Sequence, residues 1–133
     1  MPPRRKEVPG VDDCLRQAMA IPGAVGASIV DYTTGFAIAT SGSAPNFDHE
    51  AAAAGTADVV QAATSRSLYV SAVPHDLLED LIITTAGGYH LLRMVRTDFD
   101  SRLVLYVWLD RIHGNLAVAR RRMQNLAAEI VTT

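Results

Sequence analysis

Phe47–Ala63, FDHEAAAAGTADVVQAA, decides how the rest of the chain is read. It reads as a helix with too much apolar surface for one contact. At about 100° per residue, Glu50, Asp58 and Gln61 fall together in one narrow arc. Ala51, Ala62, Gly55, Val59, Ala52, Ala63, Val60 and Ala53 cover roughly 200° of the remainder, about twice the stripe that one buried face requires. His49, Thr56 and Thr64 are the polar groups lying well within that arc. The residues are small, so whatever covers the helix can approach closely. Such a helix asks for its own domain on one side and a second partner on the other. In a chain of 133 residues the second partner is a candidate separate molecule. Asn46 is expected to cap the helix, and Asp48 and Glu50 suit its positive N-terminal end. No breaker stands between Ser65 and Val70, so the helix is expected to extend toward Val70, with Val73-Pro74 as the stop.

Upstream, Met1 to about Gly10 is Pro-rich and charged and reads as a flexible tail, leaving residues 11–133 as one domain. Val11 to Ala20 reads as a short helix with Asp12 as N-cap and Val11, Leu15, Ala18 and Met19 as its apolar stripe. Ile21-Pro22-Gly23 ends it. Ala24–Asp31 and Phe36–Thr40 read as a hairpin turning through Tyr32–Gly35, and Ser41–Asn46 as a loop. Downstream, Leu81–Thr85 and Tyr89–Val95 form a second hairpin around Ala86-Gly87-Gly88. Thr97–Ser101 is a polar turn. Arg102–Leu109, RLVLYVWL, is apolar on both faces and is expected to be a central strand. A last helix is expected from about Asn115 to Val131, with Leu116, Ala119, Met123, Leu126 and Ile130 on its buried stripe.

The order helix, strand, strand, helix, strand, strand, strand, helix specifies an α+β layered domain with helices on both faces of an antiparallel sheet. If Arg102–Leu109 is central, Leu81–Thr85 lies toward an edge. It contains Leu81, Ile82 and Ile83 and no Lys, Arg or Pro, so it is an unguarded template for pairing with another chain. Two independent elements, the Ala-rich helix and this strand, are therefore short of a partner.

Composition bounds the function. Hydrophobic residues make up 49% and charged residues 20%, a globular balance. The net charge of −2 argues against broad electrostatic binding of nucleic acid. A single cysteine, Cys14, rules out an internal disulfide or a cysteine metal cluster, and beside the first helix's stripe it reads as an inert thiol. PPRRKEVPG has basic residues with no apolar stretch after them, and no run approaches the roughly 18 apolar residues of a membrane span. A cytoplasmic protein without membrane insertion is expected.

The search for chemistry returns nothing. His49, His75, His90 and His113 have no helical i, i+4 partner and no acidic residue at a recognised ligand spacing, so a structural or solvent role is expected for each, with His90 on a half-buried strand face. There is no G-x-S-x-G elbow and no G-x-x-x-x-G-K-[ST] loop, and Gly23-Ala24-Val25-Gly26 lacks the third glycine and preceding strand of a dinucleotide fingerprint. Trp108, among apolar neighbours, reads as core. Arg120-Arg121-Arg122 fan around the last helix; a solvated face is favoured over a docking patch for an acidic partner. No catalytic, cofactor or metal residues are expected, and an interaction module is favoured over an enzyme.

The segments IPGAVGASIVDYTTGFAIA, AAAAGTADVVQAA, EDLIITTAGGYHLLRMV and LVLYVWLDRIHGNLAVARRRMQNLAAEI, spanning about Ile21 to Ile130, resemble the roadblock family. That is the small domain shared by dynein light chains of roadblock type and bacterial partners of Ras-like GTPases. The junction at Asp110 and Arg111 and the EDLIITT…YHLLR hairpin look close to the actinobacterial branch. The resemblance implies a five-stranded antiparallel sheet between helices. It also implies a homodimer in which the second helices pack together and the third strands pair, placing Ala51, Ala52, Gly55, Thr56, Val59, Ala62, Leu81, Ile82 and Ile83 at the interface. Family members regulate or scaffold small GTPases in signalling or polarity systems and have no active site of their own. The expected partners are a second copy and a Ras-like GTPase, with a sensor kinase as a further candidate. The competing expectation is a small-ligand sensory module, with Ala24, Gly26 and Ala27 leaving room beside the first strand; close packing of helix on sheet explains those residues more simply.

Overall fold

The computed structural model describes residues 10–65, 69–96 and 102–132. The expected tail, apart from Gly10, and the turn Thr97–Ser101 lie outside them. The elements run α1 (Val11–Met19), β1 (Ala24–Asp31), β2 (Phe36–Gly42), a 3-10 turn (Pro45–Phe47), α2 (His49–Thr64), β3 (Asp80–Thr84), β4 (Gly88–Val95), β5 (Leu103–Asp110) and α3 (Leu116–Thr132). The five strands form one antiparallel sheet in the order β2-β1-β5-β4-β3. β5 is the central strand and β3 an edge strand, as its doubly apolar pattern and the short hairpins require.

Two cores flank the sheet. On one face α1 and α3 cover Ala27, Ile29, Leu91, Leu105 and Val107 with Leu15, Ala18, Ala119 and Met123. On the other, α2 alone brings Ala53 and Val60 onto Val30, Val104 and Tyr106. Leu105 and Val107 are fully buried, and each such side chain contributes about 1.5–3 kcal/mol. Alternation along β5 feeds both cores, because successive side chains of a strand point to opposite faces.

Five local expectations need correction. Asp12 is not the N-cap of α1: Gly10, at φ 80°, takes that position without a side-chain cap, and Asp12 sits in the first turn, where its charge still favours the helix end. Asn46 does not cap α2. Asn46 and Phe47 both adopt left-handed backbone (φ 55° and 59°), which turns the chain and moves the cap two residues on. Asp48 takes the position with extended backbone, its carboxylate accepting from Ala51 N at 3.0 Å. α2 ends at Thr64, whose hydroxyl donates back to Val60 O at 2.8 Å; residues 66–68 lie outside the described residues, and Tyr69 and Val70 are not helical. Trp108 is half-buried rather than core, because α2 does not reach over its end of β5. β2 also runs two residues beyond the expected Thr40.

Candidate functional site

α2 is fastened at both ends to one half of its sheet face. At its start the His49 ring meets Gly42 O at the end of β2 (Nε2 to O, 3.0 Å). Near its end Gln61 Nε2 donates to Tyr32 O in the β1–β2 turn at 2.6 Å. Between these anchors Ala53, Ala57 and Val60 are buried, and a Cβ placed on Gly35 would lie at van der Waals distance, 3.6 Å and 3.9 Å, from Ala54 and Ala57. The helix therefore roofs β1 and β2. The small residues permit that close approach, and the side of the helix carrying Ala53 and Val60 meets the sheet.

The opposite side of α2 is open. Ala51, Gly55 and Ala62 are exposed, Ala52 and Thr56 half-buried, and Val59 retains 38% of its surface. A Cβ placed on Gly55 would meet nothing within 4 Å. Beside this side of the helix lies the uncovered half of the sheet face. β3 pairs with β4 in the register Leu81↔Leu92 and Ile83↔His90, so these four side chains share that face. Ile82 pairs with Leu91 and points the other way, toward α3. A groove of about 280 Å³ runs between helix and sheet, lined by Pro45, Ala52, Gly55, Thr56, Val59, Ile83, His90, Leu92 and Tyr106. Ile83 is 39% exposed. Of the nine residues expected at an interface, Ala52, Gly55, Thr56, Val59 and Ile83 line this groove, Ala51 and Ala62 lie on the exposed helix beside it, Leu81 continues its sheet wall, and Ile82 is on the far face.

The groove floor was not expected from the sequence. His90 stacks against Tyr106 (centroids 5.9 Å apart, planes at 17°) and Trp108 (5.8 Å, 15°), and its Nδ1 lies 2.7 Å from the Tyr106 hydroxyl. Burial lowers the pKa of the imidazole and raises that of the phenol, so both are neutral near pH 7. Gly88 leaves room for the stack, since a Cβ there would lie 2.8 Å from the Trp108 indole nitrogen. The clue in the sequence was Tyr106 and Trp108 two apart on one strand, which places them on one face without saying whether that face is roofed.

The remaining candidates have local roles. Arg120 is tied to Asp80, its Nε donating to Oδ2 at 2.7 Å, and Arg93 approaches the same carboxylate at 3.6 Å. These contacts hold the start of β3 against α3. Arg121 and Arg122 are exposed. Cys14 is buried, and burial together with the Glu129 charge pushes its thiol up to about 11, which makes it a poor nucleophile. The space beside Gly26 is filled: a Cβ there would lie 1.7 Å from Ser43 O, and Ala27 is fully buried. Among the described residues there is no group of three or more potential metal ligands, and no helix is long and apolar enough to cross a membrane.

No family model and no curated protein sequence matches the chain. Solved structures do. Myxococcus xanthus MglB superposes with a TM-score of 0.78 at 20% identity, covering 99% of this chain and 92% of that one. A structure described as MglB with tetrameric arrangement gives 0.74 at 14%, covering 98% and 93%. A Roadblock/LC7 domain from Streptomyces avermitilis gives 0.71 at 14%, covering 90% and 92%. The chain has a roadblock fold. In this chain the uncovered surface comprises one side of α2, the sheet beside it and the β3 edge. Superposition at sequence identity of this order establishes the architecture alone.

Proposed function

We propose that the protein is a non-catalytic, homodimeric adaptor or regulator of a small Ras-like GTPase, acting in the cytoplasm as part of a bacterial signalling or polarity system. The observation that carries the dimer is the continuity of three unsatisfied features: the open side of α2, the aromatic-floored groove and the apolar edge strand β3. A two-fold contact uses the same patch on both subunits, so a self-complementary strip of small residues beside an unpaired strand suits a second copy. A similar structure carries the description of a tetrameric arrangement, which supports self-association. The GTPase partner is supported by the resemblance to the roadblock family, and the exposed Arg121 and Arg122 are the candidate docking residues on the protomer. The small-ligand alternative loses its basis at Gly26, where Ser43 occupies the space.

The dimer is tested by light scattering after size exclusion at tens of micromolar. The expected mass is twice 14.3 kDa, and a monomer overturns the reading. Gly55→Glu is expected to give a folded monomer, because its side chain meets nothing within the protomer but places a charge on the proposed contact. The partner is tested by retention of a small GTPase encoded in the same gene neighbourhood on the immobilised protein, loaded with GDP or with a non-hydrolysable GTP analogue. Retention of neither form overturns the partnership.

A further inference from the structure

Of the described residues lining the groove, His90 and Tyr106 are the ionisable ones. His90 lies where β4 borders β3, in the groove between α2 and the sheet, stacked on Tyr106 and Trp108. From β5 the titratable group facing it is the Tyr106 hydroxyl, 2.7 Å from Nδ1. From β3 its cross-strand neighbour is Ile83. From α2 the groove receives Ala52, Gly55, Thr56 and Val59, while Glu50 and Asp58 belong to the helix's polar arc and do not line the groove. No carboxylate among the described groove residues is placed to compensate an imidazolium. A second copy laid on this surface by two-fold symmetry brings the same uncharged α2 side, so it removes water from the ring without adding a counter-charge.

We infer that His90 makes self-association pH-dependent: the dimer forms at neutral pH and dissociates as the two imidazoles take up protons on acidification. The inference rests on the proposed dimer and adds a control to it. The Tyr106 hydroxyl does not oppose protonation, since its oxygen can accept from an imidazolium as readily as its proton can be donated to a neutral ring. What opposes it is desolvation, already sufficient in the protomer to lower the histidine's pKa. The sign follows by linkage. The associated state binds fewer protons than the dissociated one, so association is at full strength above the protomer's own His90 pKa, which lies below the ordinary histidine value near 6.5, and weakens as pH falls through it.

Sedimentation velocity on the whole protein at about pH 7.5 and about pH 5 tests this, with circular dichroism confirming that the fold survives at both. The dissociation constant is expected to rise by about tenfold or more on acidification, two protons being taken up per dimer. The sequence isoelectric point of about 6.0 means that net charge also changes sign across this range, so the deciding arm is a variant. His90→Phe keeps His49, His75 and His113 and is expected to remain dimeric at both pH values; an unchanged pH dependence in this variant overturns the inference. A wild type equally dimeric at both values overturns it as well, while leaving the dimer standing. A wild type monomeric at about pH 7.5 overturns the dimer and this inference together. If His90→Phe fails to fold, NMR titration of the wild-type ring decides. It must titrate at lower pH in concentrated, associated protein than in dilute protein, and equal values overturn the inference.

Discussion

The two edges of the sheet are built to opposite ends. β2 is closed: Ile38 is an extra residue bulged between the pairs Ile29↔Ala39 and Val30↔Ala37, and a bulge twists an edge away from further pairing. Gly42, at the strand's end, sits within 2.8 Å of the Met19 terminal methyl of α1 once a Cβ is imagined on it, so α1 covers that end. α2 roofs the neighbouring face and is pinned to it by His49 and Gln61. β3 has none of this. It pairs with β4 without a register shift, its last three residues are exposed, and the face beside it is uncovered. The difference shows that apolar content does not decide whether an edge is sealed. Phe36 and Ile38 on β2 are at least as exposed as Ile82 and Ile83 on β3, yet they stand on a strand whose backbone is bent away from a partner.

The largest expected effect breaks the closed half. Gly26→Ala forces a Cβ against Ser43 O and is expected to cost about 3 kcal/mol, read as a loss of midpoint in urea unfolding. The next sharpens the contrast between edges. Ile83→Lys is expected to leave protomer stability within about 0.5 kcal/mol while raising the dimer dissociation constant about tenfold, near 1.4 kcal/mol, by sedimentation. Phe36→Lys on the closed edge should change neither; an equal loss of dimer there would show that both edges pair. The smallest effect loosens the roof itself. Asp48→Ala removes the side-chain cap of α2 and should lower stability by about 1 kcal/mol in the same unfolding assay, with the dimer weakened only as far as the helix start frays.

Much of the architecture was legible in local pattern. β1 spans Ala24–Asp31 as expected, and β3, β4, β5 and α3 each begin within one residue of the expected position, because period-2 and period-3.6 patterns with strong Gly and Pro punctuation leave few alternatives. β5 is recognisable as central from the seven-residue run Leu103–Leu109, apolar on both faces. The helix caps were less legible. Asn46 and Asp12 both have the chemistry of a cap, but caps are assigned by the backbone angle of one residue, and the left-handed pair Asn46-Phe47 carries no compositional signal that separates it from a helix start. The groove was half legible. Its helical wall followed from an apolar arc too wide for one core, whereas its floor of His90, Tyr106 and Trp108 did not, since a strand's alternation cannot show how far a helix roof extends.

By itself, then, the sequence determined the order of the elements, the excess apolar surface on α2 and the undefended composition of Leu81–Ile83, all properties of spacing along the chain. The tertiary structure decided which side of α2 the sheet takes and where the helix stops covering it. Those depend on contacts between residues far apart in sequence: Gln61 with Tyr32, His49 with Gly42, and Ser43 filling the space at Gly26. Only once these fix the helix over β1 and β2 are the other half of the face, and His90 within it, left open to a partner.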